Sequence, residues 1–223
     1  METLRIAIYS DTYLPTRDGV VTYVLTLRRE LEKLGHEAII ATTASHPGSI
    51  KDSHVFTSRG YRFPLYPQYS ISPVPFSVNR KILDRKIDIV HSQTPLMMGY
   101  AALRYSRSKG IPIVSTFHSL IFDESILKAY LPDNRRTINV VNWNMRRYLG
   151  WYYKRCGKTI VPSEYVKQIL SREISIDALV VNNAIDIEKY MSTMTKSEAR
   201  ALLHMDESSR IVMFLGRISR EKN

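Results

Sequence analysis

LRIAIYSDTYLPTRDGVVTYVLTLRRELEKLGHEAIIATT, residues Leu4 to Thr43, decides the fold. Leu4 to Ser10 is a short apolar strand, and the polar loop Asp11 to Asp18 follows it. Val20, Val21, Val24, Leu27, Leu31 and Leu34 then recur on one face of a helix, and Gly35 supplies its stop. Glu37 to Thr43 is a second strand. Strand, helix and strand within about forty residues make a βαβ unit, which implies a parallel sheet with a right-handed crossover.

The alternation continues outward from that unit. Ile87 to Ser92 reads as a strand, Leu96 to Lys109 as a helix and Pro112 to Thr116 as a strand. A long helical pattern runs from about Asp133 to Cys156, then a strand covers Lys158 to Pro162. Ser163 can cap the next helix, and Ala178 to Val181 forms one more strand. The proline- and tyrosine-rich stretch Tyr61 to Phe76 suits neither a helix nor a central strand, so a surface loop is expected. The expected fold is α/β: a doubly wound, mostly parallel Rossmann-like sheet over 1–183, then a linker with one helix over 184–209. An apolar run, Ile211 to Leu215, reads as a buried strand, so 210–223 is expected to hold only the first strand of a second domain.

Bulk composition narrows the partners. Lys and Arg number 32 against 21 Asp and Glu, a formal charge of +11, which points to an anionic partner such as nucleic acid, acidic membrane or phosphorylated small molecules. Cys156 is the only cysteine, so an intrachain disulfide is impossible and a reducing compartment is expected. The apolar stretch after Met1 is too short and too interrupted by charge for a signal peptide. No segment approaches the ~20 apolar residues of a membrane span. A cytoplasmic protein is expected, with a peripheral place on the inner membrane face as its alternative.

SDTYLPTRDGVVT, LEKLGHEA, IDIVHSQTP, GIPIVSTFH, IVPSEYV, NNAIDIEKY and FLGRISREKN follow one another in an order that resembles retaining glycosyltransferases of family 4. Within the family the chain looks most like diacylglycerol glucosyltransferases and phosphatidylinositol mannosyltransferases. The resemblance implies two-domain GT-B architecture, with this chain holding the acceptor-side amino-terminal domain. The strand before GRISREK would begin the donor-binding domain, so the chain is read as truncated and inactive alone. The implied reaction moves a hexose from UDP- or GDP-hexose to an acceptor. A membrane lipid is favoured, and a soluble sugar is the alternative. The nucleotide sugar is a co-substrate, and no cofactor or metal is implied; the sequence has no D-x-D triplet and no His or Cys metal-ligand spacing.

The same resemblance assigns residues. Gly19, at a helix amino terminus where N–H groups can meet an anion, matches a donor-diphosphate contact, with Arg217 and Lys222 as the paired cations. Asp18-Gly19 stands where the family carries a glycine pair, and Asn182-Asn183-Ala184 replaces its P-N-G; Asp186 is read as a turn or cap residue. His118, at the carboxyl end of a strand, matches the histidine beside the transferred sugar, against a plain structural role. His91 lies at the equivalent end of the preceding strand, lining the same cleft or packing in the core. Tyr13, Tyr66 and Tyr69 are candidate acceptor contacts. Arg135, Arg136, Arg146 and Arg147 mark either a membrane-surface helix or a core helix with cations pointing outward. The rival class is a non-catalytic basic half-domain on anionic membrane or nucleic acid; with no nucleic-acid motif, nucleic acid is not expected.

Overall fold

The computed structural model describes residues 2–44, 50–63, 66–130, 134–185, 187 and 191–214. In chain order the described elements are β1 (Arg5–Ser10), α1 (Gly19–Lys33), β2 (Glu37–Ala44), β3 (Val55–Arg59), β4 (Tyr61–Phe63), β5 (Tyr66–Ile71), α2 (Ser77–Lys81) and β6 (Ile89–Ser92). They continue as α3 (Met97–Lys109), β7 (Ile113–Thr116), α4 (Glu124–Tyr130), α5 (Arg135–Tyr153), β8 (Lys158–Val161), α6 (Glu164–Ile174), β9 (Leu179–Val180) and α7 (Lys196–Leu202).

Period-two alternation along β1 explains why helices cover both faces of the sheet. Ala7 and Tyr9 face a core shared with Ala101, Ala102 and Leu103 of α3. Ile6 and Ile8 point the other way, onto Val24 of α1. Seven strands form one parallel sheet in the order β3-β2-β1-β6-β7-β8-β9. The chain moves outward from β1 through β2 to β3, then returns to place β6 on the other side of β1. That reversal is the topological switch point, and the crevice outside the carboxyl ends of β1 and β6 is where open α/β sheets hold ligands.

Local chemistry sets the helix ends. Asp18 caps α1 by accepting from the Val21 N–H at 2.8 Å. Beyond its last turn, Gly35 takes φ +83°, a left-handed conformation that strains residues with a side chain. Ser163 caps α6 through the Val166 N–H, as its place before that helix suggests.

Three expectations change. Tyr61 to Phe76 is not wholly loop: β4 and β5 form an antiparallel hairpin with a register shift at Arg62 and Phe63. Pro67 has no ladder partner among the described residues, which suits a residue without an N–H. The edge strand β3, parallel to β2, and the short helices α2 and α4 are additions to the expected list. Ile211 to Phe214, expected as a buried strand, have no ladder partner among the described residues, and Val212 is 99% exposed. A strand needs a neighbour for its N–H and C=O groups, and β9 pairs with β8. Leu215, Asp186, Arg217 and Lys222 lie outside the described residues.

Candidate active site at the carboxyl edge of the sheet

The loop after β1 is built on two carboxylates with different jobs. Asp18 holds the start of α1, and its second oxygen accepts from Thr12 Oγ1 at 3.0 Å. Asp11 holds the start of a different helix. Leu96, which precedes α3, has no side chain to cap it, and Asp11 takes that place by accepting from the Met98 N–H at 2.9 Å. Thr94 Oγ1 donates to the other Asp11 oxygen and accepts from the Asp11 N–H at 3.1 Å. Burial pushes the Asp11 carboxyl up to about 6, against the Thr94 and helix N–H bonds that pull it down.

Strands β6 and β7 carry a repeated side-chain rung. His91 pairs in register with Val114, and its Nε2 lies 2.8 Å from Thr116 Oγ1. Two residues on, and therefore on the same face, Gln93 Oε1 lies 2.9 Å from His118 Nε2. Burial pushes both rings down to about 4, with Asp18 opposing the shift at His118 and the His118 charge adding to it at His91. Both imidazoles are therefore neutral at pH 7. They can donate or accept a hydrogen bond, and neither supplies a positive charge.

Helix α1 closes the group. The Tyr23 ring meets the His118 ring edge to face with centroids 4.9 Å apart. Gly19 and Tyr23 are four residues apart and so share a face of α1. Gly19 is exposed, and a methyl group built there meets nothing within 4 Å, so the backbone is open to a ligand. Gly19, His91 and His118 thus gather at the switch-point edge, together with Asp18, Tyr23, Gln93 and Thr116.

Residues 17–189 match the sequence profile of Glycosyltransferase Family 4. The chain belongs to Glycosyltransferase Family 4. An alpha-monoglucosyldiacylglycerol synthase of Streptococcus pneumoniae is 29% identical, over 99% of this chain and 50% of its own length. A GDP-mannose-dependent alpha-mannosyltransferase of Mycobacterium tuberculosis is 24% identical, over 99% of this chain and 57% of its own. The chain spans about half the length of these curated relatives. Its fold is like that of a Rickettsia africae glycosyltransferase crystal structure, with TM-score 0.60 at 13% identity, covering 93% of this chain and 51% of that one. This family 4 chain thus has the α/β, Rossmann-like fold of the GT-B glycosyltransferases.

The remaining candidates scatter. Tyr13, expected in the cleft, is instead a core residue, 5% exposed among Ile6, Ile8, Val24 and Ile40, with its hydroxyl bonded to Arg28. The side chains of Tyr66 and Tyr69 lie outside the described residues. Arg146, expected at a membrane surface, turns inward: it pairs with Glu173 of α6 and lies over the Phe122 ring. Arg135, Arg136 and Arg147 stay exposed. Arg136, Val140, Trp143 and Arg147 recur at spacings of four, three and four, one exposed stripe of α5. Arg147 stacks over Trp143 at 4.7 Å, and Arg155 over Trp151 at 4.6 Å. The opposite face of α5 buries Ile138, Leu149, Tyr152 and Tyr153. Among the described residues, no helix is long and apolar enough to cross a membrane.

Asp11, Gln93, Tyr23 and Thr116 join the site without having been singled out from sequence. A signal existed for two of them. Strand alternation puts Gln93 on the face of His91 and Thr116 on the face of His118.

Proposed function

We propose that this family 4 chain is the acceptor-side domain of a retaining glycosyltransferase that moves a hexose from a nucleoside diphosphate sugar to a membrane lipid. The observation carrying the reading is the convergence of Gly19, Tyr23, Gln93 and His118 at the switch point of the sheet. In the transfer, the bond between the anomeric carbon and the diphosphate breaks, and its electron pair leaves with the diphosphate. A new bond forms from that carbon to the acceptor oxygen, whose proton passes to the departing diphosphate. A neutral, half-buried His118 suits hydrogen bonding beside the reacting sugar. The counter-charge for the diphosphate falls to Arg217 and Lys222, while Gly19 gives the backbone close approach. Residues 1–223 by themselves are then expected to turn over no nucleotide sugar.

Two observations support a lipid acceptor. Relatives are named alpha-monoglucosyldiacylglycerol synthase and sulfoquinovosyl transferase. The exposed stripe of α5 alternates cations with Val140 and Trp143, a composition that suits the surface of an anionic bilayer. The domain would sit as a peripheral protein on the inner membrane face. Resonance perturbation separates the acceptor classes. Diacylglycerol in anionic mixed micelles is expected to shift the Gly19, Gln93 and His118 signals, whereas free glucose is not. Equal shifts with glucose alone would favour the soluble acceptor, and shifts with neither would sink the reading.

A further inference from the structure

Backbone bonds fix Gln93 and the residue before His118 ahead of any side-chain contact. The Gln93 N–H donates to the Tyr9 carbonyl at 2.8 Å, prolonging the ladder between β1 and β6 by one residue. The Phe117 N–H donates to the Ile160 carbonyl at 2.8 Å and does the same between β7 and β8. Gln93 is 1% exposed, so solvent does not compete for its amide. Its Oε1 faces His118 Nε2, while its Nε2 has no partner among the described residues. An amide oxygen can only accept, so the ring nitrogen facing it must carry the proton.

We propose that Gln93 is a positioning residue that locks the His118 imidazole in its Nε2–H tautomer, leaving Nδ1 as the ring's lone-pair atom. The neighbouring rung lacks this property. Thr116 Oγ1 can donate to His91 or accept from it, so that contact leaves the His91 tautomer open. Around His118 stand Asp18, His91 and the edge-on Tyr23, and burial keeps the ring neutral near pH 7. Only a neutral ring has a tautomer to choose, and a sugar hydroxyl is read differently by an N–H and by a lone pair. The bearing on transfer rests on the proposed function; the tautomer itself does not.

Long-range proton–nitrogen spectra of the free chain, labelled with nitrogen-15 histidine, report the tautomer directly. His118 is assigned by its loss in His118→Asn. The wild-type ring is expected to carry its proton on Nε2; a proton on Nδ1, or a fast mixture, would overturn the proposal without any variant having to fold. In Gln93→Leu a mixture of tautomers is expected, and an unchanged Nε2–H form in that folded variant would also overturn it. Gln93→Glu keeps the acceptor and adds a charge. It should retain the Nε2–H form and raise the ring's protonation midpoint by about one pH unit or more.

Discussion

The Tyr23 ring meets His118 edge to face at 4.9 Å, joining the first turns of α1 to the carboxyl end of β7. Because Tyr23 lies one helical turn beyond Gly19, this contact makes the helix terminus and the histidine one wall of a crevice. It also removes water from the imidazole. Tyr23→Ala is therefore expected to move the His118 midpoint upward from about 4 toward its ordinary 6.5, as followed by ring proton shifts against pH.

Acid stability follows from three groups whose protonation burial perturbs, and their signs differ. His91 and His118 titrate at about 4 folded against 6.5 ordinarily, so between those pH values the unfolded chain binds about two more protons. Asp11 titrates at about 6 folded against 3.8 ordinarily, so there the folded chain binds one more. Stability from the neutral histidines is present above pH 6.5 and is lost as pH falls toward 4; Asp11 opposes that loss over most of the same window. The net excess of about one proton makes unfolding free energy fall by roughly 1.4 kcal/mol per pH unit on acidification. Asp11→Asn should steepen that slope to about twice the value, measured by urea unfolding at several pH values.

Two glycines separate an open surface from a close approach. A methyl group at Gly99 would stand 2.0 Å from the Thr94 carbonyl oxygen and 2.9 Å from the Tyr152 hydroxyl. Gly99→Ala must push α3 off the loop after β6, and a loss on the order of 1–3 kcal/mol is expected by thermal or urea unfolding. Gly19→Ala meets open space and should stay within ~0.5 kcal/mol of the parent.

The α5 surface divides its arginines. Arg147→Glu is expected to weaken binding to phosphatidylglycerol vesicles severalfold, with the difference shrinking at high salt and little change in unfolding midpoint. Arg146→Ala breaks the Glu173 pair and uncovers Phe122, so its effect should appear in the unfolding midpoint instead. Vesicle sedimentation alongside thermal unfolding of both variants checks the division.

The central βαβ unit was legible because β1 carries the apolar run Ile6 to Tyr9 and the valines and leucines of α1 repeat at helical spacing. β3 was not, since VFTSR is short and half polar, and only the edge of β2 makes it a strand. Gly19, His91 and His118 were singled out through motif order and their places at element ends, and the fold brings them to one edge of the sheet. Asp11 was hidden because its role is to cap a helix 87 positions away, and such a pairing leaves no local pattern. Tyr13 misled for the opposite reason: it stands in the functional loop, yet its ring turns under α1 onto the core.

Hexose transfer itself tests the central claim most directly. Residues 1–223 fused to the carboxy-terminal half of the pneumococcal relative would be assayed for glucose moved from UDP-glucose to diacylglycerol in anionic vesicles. Transfer by the parent fusion and a loss of about 100-fold or more in a folded His118→Ala fusion are expected. An active parent fusion whose His118→Ala form keeps the full rate would contradict the assignment of this edge as the acceptor side of the reaction.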